Sequence, residues 1–205
     1  MLSILNVSDE DGLKKFVTLP YRLYKDDPLW ATPMLDDELQ MLRKESNPAY
    51  KFCDVELWIA ERDGIVVGRI GAIINHKWIE KNGRKCGRLT RFECEENSET
   101  ARLLIQTAEK WLVGHGMDIV HGPLGFSNLD HQGLLIEGFN HRPSAASDYG
   151  KSYYQSFFHN NGYVKEIDWL EFRLTIPNEL PPKAQRVARI VENRTGIKAR
   201  SLRDK

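Results

Sequence analysis

The spacing of apolar residues in segment 88–112 predicts a strand that runs directly into an amphipathic helix. Asn97 and Ser98 precede the helical run, and either side chain can accept a hydrogen bond from the first amides of a helix. Because such amides carry a partial positive charge, this helix N-terminus is either an anion-binding site or an ordinary capped end. Apolar side chains at three- and four-residue spacing share one helical face, which is predicted to be buried: Ala101, Leu104, Ile105, Ala108, Trp111 and Leu112.

Shorter elements are predicted before residue 50. Residues 2–7 are predicted to form an apolar strand, and residues 8–11 provide caps for a helix that breaks at Pro20, after which residues 21–24 can resume it for one turn. The apolar pattern predicts a second helix over residues 34–42. The aromatic residues of this arm fit either the wall of a substrate cleft or a contact between helices and a sheet. They are Tyr21, Tyr24, Trp30, Tyr50 and Phe52.

The period of the pattern changes to two at Val55, which predicts a half-buried strand that turns at Asp63-Gly64. Residues 65–74 are apolar on both faces and are predicted to form a central strand. Asn82-Gly83 is a strong hairpin signal, and it predicts pairing of this strand with residues 85–93. Three antiparallel strands are therefore predicted before the long helix.

The pattern after the long helix predicts a short strand, a short helix and a final strand. The first strand begins at Ile119-Val120 and meets Gly122-Pro123 almost at once. Residues 152–160 form a helix with Tyr154, Phe157 and Phe158 on one face, and it ends at Asn161-Gly162. Alternating apolar residues predict the final strand: Leu170, Phe172, Leu174 and Ile176.

The composition changes at Pro181-Pro182, which suggests a boundary between a domain of residues 1–180 and an extension of residues 181–205. The extension is rich in lysine and arginine, and it predicts a helix with Val187, Ile190 and Val191 inward, followed by a strand-like segment. We expect residues 184–202 to pack outside the first core. Segment 183–205 fits three partners: an acidic molecule, another copy of the chain, or a second domain that it would begin.

Length and composition indicate one main globular domain, with 205 residues of which 41% are hydrophobic. Basic and acidic residues balance at 29 each, so net charge gives no reason to expect a nucleic acid or a membrane surface as a partner. No apolar run approaches the ~20 residues that span a bilayer. The N-terminus also lacks the pattern of a signal peptide, so we expect a cytoplasmic protein.

Cysteine and histidine spacing argues against disulfides and metal sites. Cys53, Cys86 and Cys94 are widely spaced without a CxxC motif, as expected of reduced thiols. His121, His131 and His141 fall at ten-residue steps, which we interpret as chance rather than as a metal site. Hydrolysis by a Cys/His pair is a third alternative, but no nucleophile motif accompanies these residues.

The order of elements resembles the GNAT superfamily of acyl-CoA-dependent N-acyltransferases. The resemblance covers residues 2–176 and is carried by LWIAERDGIVVGRIGAII, RFECEENSETARLLIQTAEKWL and SYYQSFFHNNGYVKEIDWLEFRL. It implies an α/β (α+β) fold, with a mixed, mainly antiparallel sheet flanked by helices. The chain looks most like a bacterial subgroup in which a second, similar domain follows the last strand.

The resemblance implies that acetyl-CoA or another acyl-CoA binds at the strand-to-helix turn. Family members usually have Arg or Gln, two residues, Gly, any residue and Gly in this turn, and the glycines expose backbone amides to the pyrophosphate. Here the span is Glu95-Glu96-Asn97-Ser98-Glu99-Thr100, so the glycine positions hold Ser98 and Thr100 and three carboxylates are present. The coenzyme contacts implied by the resemblance are Phe92, Cys94, Asn97, Ser98, Glu99, Thr100 and Ala101.

The resemblance further implies direct attack of a small-molecule or peptide amine on an acyl thioester. A backbone N–H of strand 92–94 would polarise the carbonyl, and Glu93 or Glu95 would deprotonate the amine. Many members place a proton-donating Tyr four residues before the closing Gly, where this chain has Phe158. Tyr154 lies one turn earlier and either replaces that acid or only packs. The alternative function is a degenerate, non-catalytic GNAT domain that serves as a binding or structural module.

Overall fold

The computed structural model describes residues 1–145, 147–198 and 200. Contacts divide the chain into two compact units, Met1–Val164 and Lys165–Lys205, and each is described by itself.

A five-stranded sheet organises the first unit, with the strands in sequence order from β1 to β5. The first three pairings are antiparallel and the β4–β5 pairing is parallel, which confirms the mixed, mainly antiparallel sheet. The strands are β1 Leu2–Asn6, β2 Cys53–Arg62, β3 Ile65–Asn75, β4 Cys86–Cys94 and β5 Ile119–His121.

Helices cover both faces of this sheet. One face packs on α1 and α2, and the other packs on α4 and α5. A 3-10 turn, Pro48–Lys51, precedes β2. The helices of the first unit are α1 Glu10–Leu23, α2 Leu35–Leu42, α3 His76–Asn82, α4 Ser98–Gly114 and α5 Tyr154–Asn160.

The apolar face of α4 lies against the sheet at close range. Leu104 and Ile105 are fully buried as predicted, whereas Trp111 is only partly buried. Gly68 of β3 makes the approach feasible, because a Cβ there would lie 2.7 Å from Cδ1 of Leu104. Gly87 of β4 does the same for Leu112, whose Cδ2 would lie 2.5 Å from such a Cβ. The sheet therefore fixes the position of the α4 N-terminus relative to β4.

Two predicted boundaries in the first unit are wrong. Pro20 lies inside α1 and is buried, and its carbonyl still accepts from the Tyr24 amide at 2.9 Å, so one missing donor does not end the helix. Asn82-Gly83 ends α3 instead of forming a hairpin. Gly83 adopts φ +66° and donates to the carbonyl of Ile79 at 2.8 Å. A left-handed glycine serves a helix C-terminus as well as a hairpin turn, which is why the motif was ambiguous.

In the described residues of the second unit, one helix is present, α6 Pro182–Thr195. The predicted strand at 170–176 is absent: these residues are exposed and lie outside any helix or strand. A strand needs a neighbour to receive its ladder hydrogen bonds, and an alternating sequence does not by itself provide one. Val187, Ile190 and Val191 of α6 are also exposed. The strand-like segment after Gly196 falls partly outside the described residues, at Ala199 and at 201–202.

Two further findings concern the whole described chain. Its longest and most apolar helices are too short or too polar to cross a membrane. Cys53, Cys86 and Cys94 are all buried thiols in β2 and β4. Burial raises the pKa of Cys53 to about 11 and that of Cys94 to about 12.

Candidate active site

Arg69 of β3 and Glu93 of β4 face each other across the two strands, next to an irregularity in their pairing. Gly71 pairs with Thr90 and Arg69 pairs with Glu93, so β4 has one more residue than β3 over this stretch. Arg91 lies in the inserted stretch and adopts φ +52°. This arrangement is a β-bulge, a feature that bends a strand and redirects a side chain next to functional sites.

Two tyrosine hydroxyls donate to one carboxylate oxygen at the bulge. Oε2 of Glu93 accepts from Tyr24 at 2.7 Å and from Tyr154 at 2.6 Å. Tyr24 follows the last residue of α1 and Tyr154 is the first residue of α5, so three elements meet at this oxygen. Burial raises the pKa of Glu93, while the charge of Arg69 and the two hydroxyl donors oppose the rise. Glu93 is therefore a stronger base than an exposed glutamate.

The hydroxyl of Tyr154 also accepts a hydrogen bond from the backbone N–H of Cys94 at 3.1 Å. Tyr153, its neighbour, donates to the carbonyl of Cys94 at 3.0 Å. Burial, followed by the charge of Glu93, raises the pKa of Tyr154 well above its usual value. The phenol is therefore protonated at neutral pH, and the predicted polarising amide of Cys94 has an internal partner. Phe92 packs its ring on Tyr154, with 5.2 Å between ring centroids.

A cavity of about 70 Å³ lies between β4 and the loop that follows β5, and Glu93 and Tyr154 line it. His131 lines the cavity as well: its Nδ1 lies 2.7 Å from Asp148, and its Nε2 lies 3.1 Å from the carbonyl of Ala145. Both partners accept hydrogen bonds, so a hydrogen on each ring nitrogen would satisfy both contacts. The hydrogen bond to Asp148 is the main reason that the pKa of His131 is raised. His131 is a link within the loop rather than a general base.

Arg69 also lines the cavity and is only 5% exposed. Its Nη1 donates to the carbonyl of Phe16 at 3.0 Å, and the guanidinium carbon lies 5.0 Å from the centroid of the Phe16 ring. Burial lowers the pKa of Arg69, and the charge of Glu93 opposes this effect. An arginine stays protonated in proteins, so Arg69 brings a positive charge to the cavity.

The predicted anion site at the start of α4 keeps only part of its donors. Oδ1 of Asn97 accepts from both the amide and the hydroxyl of Thr100, each at 2.9 Å, and Thr100 is fully buried. The amide of Ala101 donates to the carbonyl of Asn97 at 3.1 Å. In the described part of the chain the amides of Ser98 and Glu99 have no acceptor. These two amides are the ones that an anion would meet.

The structure separates the two predicted bases. Glu95 lies 2.9 Å from Nη1 of Arg22 and 3.9 Å from Nη1 of Arg62. Arg62 also donates to the hydroxyl of Thr100 at 2.8 Å, so it joins Glu95 to the start of α4. The two arginines offset part of the negative charge of the turn. Glu95 is thus held in ion pairs, and Glu93 alone of the two reaches Tyr154.

Arg69 was absent from the sequence-based prediction, and Tyr24 entered it only as one of five aromatic residues that fit a cleft wall or a helix–sheet contact. Arg69 is the single charge inside the apolar run IVVGRIGAII, and a charge in a buried strand is a signal that could have found it. Tyr24 carried no comparable signal, because four other aromatic residues stand in the same arm. Within the described residues, no group of three His, Cys, Asp or Glu side chains is placed to hold a metal ion.

Comparison with known proteins relates the chain to two curated bacterial proteins. It is 33% identical to Protein YghO of Escherichia coli over 162 residues, which cover 79% of this chain and 41% of that protein. It is 31% identical to the bacterial ceramide synthase of Caulobacter vibrioides over 186 residues, which cover 90% of this chain and 48% of that protein. The chain thus spans about half the length of the curated relatives it matches. No family model matches it.

Solved structures share the fold at low sequence identity. A predicted acetyltransferase of Clostridium acetobutylicum, solved with acetyl-CoA, gives a TM-score of 0.53 at 14% identity over 84% of this chain and 96% of its own. The aminoglycoside acetyltransferase meta-AAC0020 from an uncultured soil metagenomic sample, solved with sisomicin, gives 0.50 at 10% identity over 86% and 96%. At such identities the similarity establishes the fold.

Proposed function

Because the chain has the fold of the GNAT superfamily, we propose that it is an acyl-CoA-dependent N-acyltransferase in which a primary amine attacks the acyl thioester directly. The hydrogen bond between Glu93 and Tyr154 carries the proposal, since it joins a base with a raised pKa to a protonated phenol beside a cavity. A base to activate the amine and an acid to protonate the leaving thiolate are what this reaction requires.

The proposed reaction moves one proton through the pair. The amine nitrogen attacks the carbonyl carbon, and Glu93 accepts a proton from that nitrogen as the C–N bond forms. The C–S bond then breaks, Tyr154 gives its proton to the departing sulfur, and the proton on Glu93 passes to Tyr154 along their 2.6 Å hydrogen bond. An amine and a thioester become an amide and a thiol, and both side chains return to their starting states.

The free amides of Ser98 and Glu99 are the proposed contacts for a coenzyme phosphate, assisted by the positive end of α4. Asn97, Thr100 and Ala101 would act indirectly, because their hydrogen bonds shape the turn. Exposed Glu96 and Glu99 oppose an anion at this position. We therefore expect weak, salt-sensitive binding of acetyl-CoA or a longer acyl-CoA.

A non-catalytic GNAT module is the second candidate. Two observations favour it: the Cys94 amide already donates to Tyr154, and acidic residues remain at the coenzyme turn. A substrate carbonyl would have to displace the Tyr154 hydroxyl from the Cys94 amide or find another donor. The two candidates differ in whether acetyl-CoA binds at all.

The relatives guide the choice of acceptor to test. The name ceramide synthase denotes N-acylation, because a ceramide contains an amide, and meta-AAC0020 was solved with an amine, sisomicin. We propose a small-molecule or peptide amine as the acceptor, and no nucleic acid as a partner. The three thiols support a reducing, cytoplasmic location. Segment 183–205 is proposed to pack against a second domain or another copy of the chain.

Calorimetric titration with acetyl-CoA, followed by thiol release in the presence of an amine panel, tests the proposal. Wild type should bind the coenzyme and release thiol only when an amine is present. Glu93→Gln should bind equally well and release thiol about 100-fold more slowly, the lower end for loss of a general base. If neither wild type nor Glu99→Gly binds acetyl-CoA at about millimolar concentration, the acyltransferase proposal fails and the fold assignment remains.

A further inference from the structure

The guanidinium of Arg69 has an unused edge. Nη1 donates to Phe16, whereas Nε has no acceptor and is the only buried side-chain nitrogen or oxygen without one in the part of the chain that the structure describes. Within those same residues Nη2, which lies on the same edge as Nε, has no hydrogen-bond acceptor either. A buried donor without a partner destabilises a protein, and a buried charge does so more strongly. Because Arg69 lines the cavity, an occupant within reach of this edge would satisfy it.

The other charged groups around the cavity have partners. His131 is paired with Asp148, and Arg91 lies 3.4 Å from Glu38. Within the described residues Arg69 is the lining cation that has no carboxylate within 4.0 Å. Arg69 and Glu93 attract each other electrostatically, but Oε2 of Glu93 already accepts hydrogen bonds from Tyr24 and Tyr154.

The chemistry of the free edge selects a ligand class. Two parallel N–H groups of a guanidinium match the two oxygens of a carboxylate, and such charge-assisted pairs are stronger than neutral hydrogen bonds. A cavity of about 70 Å³ admits only a small group. A carboxylate fits both the size and the charge.

We propose that Arg69 binds a carboxylate of the acceptor, so that the acceptor is an amino acid or a similar small amine with a carboxylate a few bonds from its nitrogen. Arg69 and Glu93 are directly opposed across β3 and β4, and such neighbours have Cβ atoms about 5 Å apart. One small molecule can therefore place its amine at Glu93 and its carboxylate at Arg69. The substrate class rests on the proposed function, whereas binding of the carboxylate does not.

The test compares amines that differ only by the carboxylate. Serine and ethanolamine form one pair, and alanine and ethylamine form another. Each is titrated by calorimetry into the full chain without coenzyme. The carboxylate-bearing member of each pair should bind at least about ten-fold more tightly. Equal affinity within both pairs, or no binding of any of the four, overturns the proposal.

Variants assign the effect to Arg69. Arg69→Lys keeps the charge and loses the two-pronged edge, so it should reduce the preference for serine over ethanolamine by about ten-fold. Arg102→Gln, on the exposed face of α4, is the matched control and should preserve the preference. An unchanged preference in Arg69→Lys overturns the assignment. The comparison of wild type with the paired amines stands even if a variant fails to fold.

The two proposals fail in different ways. If serine binds through Arg69 but no amine is acylated from acetyl-CoA, the carboxylate site holds and the acyltransferase function is wrong. If amines are acylated with no preference for a carboxylate, the function holds and the role of Arg69 is wrong.

Discussion

Tyr154 forms hydrogen bonds with Cys94 and Glu93 and is also the proposed acid, so Tyr154→Phe should affect both stability and catalysis. The variant leaves the buried Cys94 amide without its acceptor and removes a donor from Glu93. We expect the free energy of unfolding to fall by about 1–3 kcal/mol, measured by urea denaturation. We also expect turnover to fall without a change in coenzyme affinity.

Tyr153→Phe is the matched control for this experiment. It removes a neighbouring hydroxyl that donates to the Cys94 carbonyl and does not contact Glu93. Turnover should be retained in this variant. If both variants lose turnover equally, the phenol of Tyr154 has no special role as an acid.

Glu93 should make stability depend on pH. An exposed glutamate has a pKa of 4.5, and burial is the main reason that the pKa of Glu93 is higher in the folded protein. Between these two pKa values the folded state binds more protons than the unfolded state. The free energy of unfolding should therefore fall as pH rises from 4.5 through the folded pKa. Glu93→Gln removes this contribution, and denaturation over a pH series should show the variant gaining on wild type.

An exposed acid provides the comparison for the pH series. Glu80→Gln, in α3, should follow wild type at every pH. If the free energy of unfolding changes with pH in the same way for wild type and Glu93→Gln, the environment does not shift the pKa of Glu93.

The sequence could bring Glu93 and Tyr154 into the candidate site because each lies within a motif that the family resemblance covers. It could not distinguish Glu93 from Glu95. That distinction depends on Arg22 and Arg62, which are remote in sequence and reach Glu95 only in the folded chain. The same holds for Arg69, whose neighbours come from α1 and β4. The sequence could therefore identify candidate residues, but only the tertiary structure shows which charged residues form pairs.

At the scale of elements, the carboxylate of Glu99 should limit the affinity of the α4 N-terminus for acetyl-CoA. Glu99→Gly and Glu99→Gln both remove a carboxylate beside the free amides of the first turn. Affinity for acetyl-CoA should rise about ten-fold, which corresponds to ~1.4 kcal/mol of relieved repulsion. Calorimetry at low salt checks this, because salt screens exposed charges.

The two substitutions distinguish charge from backbone geometry. Glycine also increases the freedom of the turn, whereas glutamine alters only the charge. Equal gains indicate repulsion, and a gain in Glu99→Gly alone indicates backbone access. Glu80→Gln should leave affinity unchanged, and the absence of any gain in both variants would place the coenzyme elsewhere.

Sequence patterns predicted elements well where burial follows a regular period. The face of α4 was identified by its three- and four-residue spacing, β2 by alternation, and β3 by apolar residues on both faces, and these patterns match burial against two hydrophobic clusters. Residues 170–176 also alternate, but alternation reports only the ability to form a strand, and pairing needs a partner. Pro20 and Asn82-Gly83 were misread because their conformational preferences are compatible with more than one element.

At the scale of the whole molecule, limited proteolysis should separate the two units. Residues 165–180 are exposed and form no helix or strand, so trypsin should cut first after Arg173, and Lys183 in the first turn of α6 is the next site, just after Pro181. The N-terminal fragment should remain folded, because both hydrophobic clusters lie within Met1–Val164. Mass spectrometry identifies the cuts, and circular dichroism tests the fragment.

Loss of the entire fold on truncation near Pro181 would contradict this independence. It would show that residues after 180 contribute to the stability of the first unit. A chain truncated after residue 180 therefore serves as a direct test of the domain of residues 1–180 as well.

Because all three thiols are buried, their chemical modification can report local opening of the sheet. Cys53, Cys86 and Cys94 lie in β2 and β4, and residues 165–205 contain no cysteine. An alkylating reagent attacks thiolates, which burial suppresses, so modification requires the sheet to open. The rate of alkylation therefore measures local opening of the first unit and does not report on the second unit. Unlabelled wild-type protein thus provides a kinetic assay of whether an acyl-CoA or an amino acid tightens the sheet.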